Sequence, residues 1–332
     1  MGAIIRLTLM LRVQNKKQVA KRLAIAVVLI VFGMVSGGVL TVVIYKNSLN
    51  TKQERYNLLA DRILSTNGNE RIVNFTDLRQ KLTDYTDANL QNIDYSIYYE
   101  YLPTGTSVGL NETHTLIGAS LLKVPFAMQY YHALEEGTLK KDDIITLTQA
   151  NLDSTYGSLY KKGSGYKLTL DDLVTTMLRD SDNTALRALA DVLSQKVGLQ
   201  TIDQVFNFVD LSYASDKEGS TLIGAEAYSS ILKCLYFACY ISKEHSQEVL
   251  YTLTNTTFND RLKRYIPQDT MPTIAHKIGS FEQTTQSDCG IFYVPTRPYL
   301  LCVMINGSDE FASQHIGKIS VIVYEHMTQN LE

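Results

Sequence analysis

Ser120 and Lys123 stand three apart in "IGASLLKVPFAM", residues 117–128, at the head of an apolar run. At that spacing a hydroxyl and an amine share one face of a helix. Burial against Leu121, Leu122 and Val124 would lower the amine's pKa and free it to take the serine proton. The plain structural alternative is a capped core helix with a surface lysine. Ser-x-x-Lys recurs at Ser158–Lys161, Ser164–Lys167 and Ser230–Lys233, about as often as chance allows for a two-letter motif. The first two of these lie in the glycine-rich "GSLYKKGSGYK". The third lies inside an expected helix, where no backbone N–H is free. Only Ser120 sits where a polar loop gives way to a strong apolar helix, so that first-turn N–H groups and the helix dipole favour a developing oxyanion. Pro125 falls near the first turn, where a proline is tolerated.

Two further clusters belong with this pair. "RDSDNTA" holds Ser181, Asp182 and Asn183. It is either a polar helix junction with a Ser or Asp cap, or a proton relay (Ser181) beside a hydrogen-bonding partner for a substrate amide (Asn183). "AHKIGSFE" places Lys277 and Gly279 at the end of a strand. A glycine there lets backbone approach a ligand closely, and Lys277 would offer positive charge to a carboxylate. An exposed lysine beside a turn glycine would look the same.

The elements around these clusters give a fold class. Phe75, Leu78, Leu82 and Tyr85 recur at helical spacing over 75–92, with Thr76 as a possible cap. "DYSIYYEYL", 94–102, and the following "TSVGLNE" predict a hairpin. Residues 118–270 are mostly helical in pattern. They include "LTLDDLVTTML", where Thr169 caps and Asp171 and Asp172 fill the first turn. Strand-like runs return in "TIAHKIG", "CGIFYV" and "YLLCVMIN", before a last amphipathic helix. The expected class is α+β in three layers, α/β/α. Both chain ends build one antiparallel sheet, an all-helical lobe (about 118–270) is inserted, and one membrane-spanning helix precedes the whole. A cleft between two such lobes is a natural place for chemistry.

Three motifs in this order and context resemble the penicillin-recognising serine hydrolases, and most closely the class A β-lactamase-like group with its S-x-x-K, S-D-N and K-T-G set. The resemblance covers roughly 75–332. It implies a β-lactamase/DD-peptidase-like fold, a nucleophile at Ser120, a base at Lys123 and a proton shuttle at Ser181. It also implies substrate contacts at Asn183, Lys277 and Gly279, and an oxyanion hole from the backbone N–H groups of Ser120 and Ser280. An aromatic wall falls to Tyr156 or, equally, Tyr160. Two departures stand out. K-T-G is K-I-G here, so Ile278 offers no hydroxyl to a carboxylate, and Ser280 is the nearest substitute. No E-x-x-L-N follows Asn183; Asp216 and Glu218 lack the expected neighbours. Without that base an acyl-enzyme would form and linger.

The rest of the sequence bounds the setting. Residues 1–22 carry six basic residues and no acid, which leaves 25 basic against 34 acidic residues in the remainder. That acidic body argues against nucleic acid as a partner. Residues 23–45, "LAIAVVLIVFGMVSGGVLTVVIY", form 23 uncharged positions, enough to cross a hydrocarbon core of roughly 30 Å. No A-x-A-like site follows, so the run reads as an uncleaved anchor with the basic end inside and 46–332 outside the cytoplasmic membrane. Residues 46–74 read as a polar linker, and 75–332 as the domain. Cys234, Cys239, Cys289 and Cys302 fit no zinc spacing. They read as buried free thiols, since a five-residue helical spacing points Cys234 and Cys239 apart. No metal or organic cofactor motif is present. The expected partners are a β-lactam, small-molecule or cell-wall peptide substrate, and the membrane. The rival reading is a module of the same fold that binds wall peptides or an envelope partner without turning them over.

Overall fold

The computed structural model describes residues 33, 34, 41, 56–60, 74–198 and 201–328. The chain divides into Met1–Asn57 and Leu58–Glu332. Of the expected span 23–45, only Gly33, Met34 and Thr41 are described, all helical. The rest of the span, residues 1–22 and most of 46–74 lie outside the described residues. Among those described, no helix is long and apolar enough to cross a membrane. Within the stretch read as linker, Leu58 and Leu59 are buried. Leu58 N–H donates to Gln247 Oε1 at 3.0 Å and its carbonyl accepts from Tyr293 Oη at 2.9 Å.

The domain begins with helix α1 (Thr76–Asn89), hairpin β1 (Tyr95–Tyr101) and β2 (Thr106–Leu110), and the short β3 (Leu116–Ile117). A 3₁₀ turn, Ala119–Leu122, leads into α2 (Lys123–Glu135). The lobe continues through β4 (Ile144–Thr146), β5 (Lys167–Thr169), α3 (Leu170–Arg179), α4 (Asn183–Lys196) and α5 (Thr201–Phe208). Next come β6 (Ala214–Ser215), β7 (Thr221–Ile223), α6 (Ala225–Phe237) and α7 (Lys243–Thr254). The chain returns through β8 (Ile274–Phe281), β9 (Thr285–Phe292), β10 (Tyr299–Asn306) and α8 (Asp309–Thr328). The five-stranded sheet has the order β2-β1-β10-β9-β8, antiparallel throughout. It is thus built from both ends of the domain, with β8 at one edge.

Alternation along the strands sorts the core. Ile97, Tyr99, Leu301, Val303 and Ile305 face Leu78 and Leu82 of α1 and Ile316, Ile319 and Val323 of α8. Helices α6 and α7 pack near the other side of the sheet. Truncating a fully buried leucine such as Leu78 to alanine would cost about 2–5 kcal/mol. Thr169 caps α3 as expected, accepting from Asp172 N–H at 3.1 Å. Thr76 does not cap α1. It is the first helical residue, and Asn74 Oδ1 accepts its N–H at 2.9 Å instead.

The cysteine reading is corrected: Cys234 pairs with Cys239 and Cys289 with Cys302 as disulfides. The helical spacing argument fails for the first pair because α6 ends between them. Ala238 takes the left-handed conformation (φ 49°) and turns the chain back, so that Cys239 N–H donates to Cys234 O at 3.0 Å. Cys289 and Cys302 face each other directly in the β9–β10 register.

Candidate active site

Ser120 sits in the 3₁₀ turn that precedes α2. In that geometry residues i and i+3 eclipse, so Lys123 comes directly behind the serine. Ala119, at φ 45°, holds a left-handed backbone immediately before Ser120. Such strain, of order 1–3 kcal/mol, persists only where the surroundings enforce it. Lys123 is wholly buried, and burial pushes its amine down to about 7, against the opposing pull of the Asp182 and Asp153 charges. Its Nζ lies 2.9 Å from Ser120 Oγ, 2.5 Å from the Ser181 carbonyl oxygen and 2.7 Å from Asn183 Oδ1. A neutral amine has two hydrogens and one lone pair. The two oxygen acceptors, a carbonyl and an amide, take the hydrogens, which leaves the lone pair for the serine O–H.

Ser181 lies at the break between α3 and α4, where the sequence pattern runs on as if helical. It adopts φ 54°, and Asp182 caps α4 by accepting from Ala185 N–H at 2.9 Å. The same Asp182 carboxylate accepts from Ser158 and Leu159 N–H at 2.7 and 2.8 Å and so clamps the 155–159 loop beside the site. The capping reading of the Ser-Asp-Asn cluster holds for Asp182. Ser181 Oγ is 3.3 Å from Lys123 Nζ and 2.8 Å from Lys277 Nζ. It bridges the two amines.

Lys277, Ile278, Gly279 and Ser280 lie on the edge strand β8. Gly279 is where this strand meets the Ser120 turn. An added Cβ would come within 3.0 Å of Gly118 O and 3.1 Å of Leu121 Cγ. Lys277 Nζ donates to Ile278 O at 3.1 Å, and backbone groups two residues apart share an edge, so Ser280 presents its N–H on that same edge. Lys277 itself is buried, and burial, reinforced by the neighbouring Lys123, drives its amine well below the ordinary lysine range. It is a poorer fixed cation than its sequence position suggests.

A cleft of about 560 Å³ opens over these residues, lined among others by Ser120, Thr155, Tyr156, Asn183, Ile278 and Ser280. Tyr156, not Tyr160, is the lining tyrosine. Its carbonyl accepts from Asn183 N–H at 3.0 Å. Three carboxylates, Asp260, Glu282 and Asp309, also line the cleft, and against them stands Arg261. No motif marks Arg261 in the sequence; it reaches the cleft from the loop before β8. Its Nη1 donates to Gly279 O and Ser287 O, each at 2.7 Å. Its Nη2 faces Ser280 Oγ at 2.7 Å, Gln286 Oε1 at 2.9 Å and Asp309 Oδ1 at 2.8 Å. Every Nη hydrogen is therefore engaged within the protein. Behind the strand, Asp288 accepts from Leu262 N–H at 3.1 Å and pairs with His276 Nδ1 at 2.9 Å, which fixes the segment that carries Arg261.

Asp216 closes the turn between β6 and β7, accepting from Glu218 and Ser220 N–H at 3.0 and 2.7 Å. Neither Asp216 nor Glu218 lines the cleft. Among the described residues there is no metal-binding cluster of His, Cys, Asp or Glu.

A fold of this topology with a serine, two lysines and a second serine under one cleft defines the class A β-lactamase-like serine hydrolases. The sequence profile of the β-lactamase enzyme family matches residues 77–327, and the chain belongs to that family. Solved structures agree on the fold. PBP-A, 19% identical, superposes with a TM-score of 0.69 over 76% of this chain and 97% of its own. A β-lactamase from Sphaerobacter thermophilus, 21% identical, gives 0.68 over 78% and 99%. One from Chitinophaga pinensis, 20% identical, gives 0.66 over 75% and 99%. No curated protein matches the chain.

Proposed function

We propose that this protein is an extracytoplasmic serine hydrolase, anchored in the membrane through 23–45, that opens an amide, peptide or β-lactam bond through an ester on Ser120. The observation that carries the reading is the buried Lys123 amine, 2.9 Å from Ser120 Oγ and held near pKa 7 by burial. Neutral Lys123 takes the Ser120 proton as Oγ attacks the carbonyl carbon. The oxyanion forms against the Ser120 and Ser280 N–H groups. Lys123 returns the proton through Ser181 Oγ to the leaving nitrogen as its bond to carbon breaks, and the acyl group stays on Ser120. Asn183 holds the substrate amide. Water then cleaves the ester slowly, because the sequence carries no E-x-x-L-N after Asn183 to supply the deacylating base. The similar PBP-A, a mutant of which was captured as an acyl-enzyme with penicillin G, supports a penicillin as the first probe; a cell-wall D-Ala peptide is the second substrate class to try. The uncharged run at 23–45 behind a basic cluster supports the anchor.

The test is intact mass over time after mixing with penicillin, with Ser120→Ala as control. A persistent adduct, absent from the control, is expected. No adduct and no turnover with penicillin or a D-Ala peptide would refute the reading. The engaged Arg261 and Ile278 favour a second reading, a non-catalytic module that binds wall peptides. In that case Lys123→Ala would keep its ligand with wild-type affinity.

A further inference from the structure

From the hydrogen-bond polarity around Asn183 we infer that Asp153 and Thr155 are positioning residues that lock the Asn183 side-chain amide in the one orientation that both anchors Lys123 and presents an N–H donor to a substrate carbonyl. The inference rests on the Ser120 acyl-transfer reading and deepens it.

The argument follows donors and acceptors. Asp153 is buried, and its carboxylate can only accept. Its Oδ1 receives Thr155 N–H at 2.8 Å and also the Thr155 hydroxyl. Thr155 has one hydroxyl hydrogen. Once it points at Asp153, Thr155 Oγ1 can only accept from Asn183, 2.9 Å away. The Asn183 atom on that side must then be Nδ2, and Oδ1 must face Lys123 Nζ at 2.7 Å. The flipped amide would ask Thr155 for two hydrogens and set an NH₂ group against the lysine amine. Asp153 is itself fixed. Its N–H donates to Thr184 Oγ1 at 2.9 Å, its carbonyl accepts from the same hydroxyl at 3.2 Å, and its Oδ2 pairs with Arg187 at 2.6 Å. Thr155 and Asn183 both line the cleft, so the Nδ2 group lies where an acyl amide carbonyl would reach it. Without the Thr155 hydroxyl only the Lys123 side still orients the amide, and the donor to the substrate carbonyl is held less firmly.

The role predicts an effect tied to one substrate feature. The test takes the full-length chain in detergent and two thioesters with the same leaving group. One has an N-acylglycyl group; the other has its amide replaced by two methylenes. Thr155→Val is expected to lower kcat/KM about tenfold more for the amide-bearing thioester than for the other, the loss of roughly one hydrogen bond; any loosening of Lys123 lowers both alike and drops out of the ratio. Thr155→Ser restores the amide preference. Asp153→Asn, which lets the side chain donate, lowers it. An equal fall on both thioesters, or no change on either, overturns the inference and leaves the Ser120 mechanism standing. Failure of the wild type to acylate with either thioester overturns the inference, and failure with penicillin and a D-Ala peptide as well overturns the Ser120 reading.

Discussion

The two ends of the cleft are built on different terms. At the Ser120 end, Lys123, Ser181 and Asn183 meet within 2.5–3.3 Å around one buried amine. At the β8 end, Ile278 stands where a hydroxyl would serve a carboxylate, Lys277 is buried, and Arg261 gives its Nη hydrogens to Gly279, Ser287, Ser280, Gln286 and Asp309. Asp260, Glu282 and Asp309 add negative charge to the cleft lining. One end is equipped to activate a nucleophile. The other offers few free donors to a substrate carboxylate. On the proposed reading, bond-making chemistry and recognition of the substrate's charge fall to opposite ends of the cleft.

Breaking the Ser120 end should have the largest effect. Lys123→Ala removes the proton acceptor, and acylation of Ser120 should slow by about a thousandfold, in the range of a lost general base. Stopped-flow acylation or timed mass spectrometry reads this directly. Mending the β8 end should be smaller and of opposite sign. Ile278→Thr supplies a hydroxyl on the cleft wall, and the concentration of a carboxylate-bearing substrate needed for half-maximal acylation should fall roughly tenfold, the worth of one charge-assisted hydrogen bond. A matched carboxamide substrate should be indifferent to the change. The smallest effect belongs to Asp309→Asn. The Asp309 side chain is 58% exposed, and exposed ion pairs are worth about 1 kcal/mol or less. Releasing Arg261 from it should improve carboxylate binding only a few-fold, an effect that shrinks as salt is raised. If Ile278→Thr leaves carboxylate and carboxamide substrates equally placed, the β8 end is not where the substrate's charge is read.

The Ser120 end was largely legible in the sequence, because the 3₁₀ turn and helix put i and i+3 together by local geometry and the motifs carry their own spacing. The sheet from both chain ends followed from the order of periodic segments. What sequence reading missed is long-range or very short. Arg261 and the Asp153–Thr155 pair become meaningful only when separate loops meet. Strands β3, β6 and β7 have two or three residues each, too few to show a period. The Cys234–Cys239 pairing depends on a helix ending at Ala238, an alanine in a left-handed conformation where glycine would have announced the stop. The β4–β5 pair, three residues each, lies inside the stretch that reads as mostly helical.

The central claim is that a neutral Lys123 activates Ser120, and the most direct measurement is the rate of Ser120 acylation against pH in the wild type and in Lys123→Arg. Burial holds the amine near pKa 7, and only the deprotonated form can accept the serine proton. The rate should therefore rise with pH through a midpoint near 7 and level off above it. Arginine stays charged throughout, so the variant should be slow and show no such rise. A wild-type rate without a limb near 7, or an Lys123→Arg variant that acylates as fast as the wild type, would contradict the account.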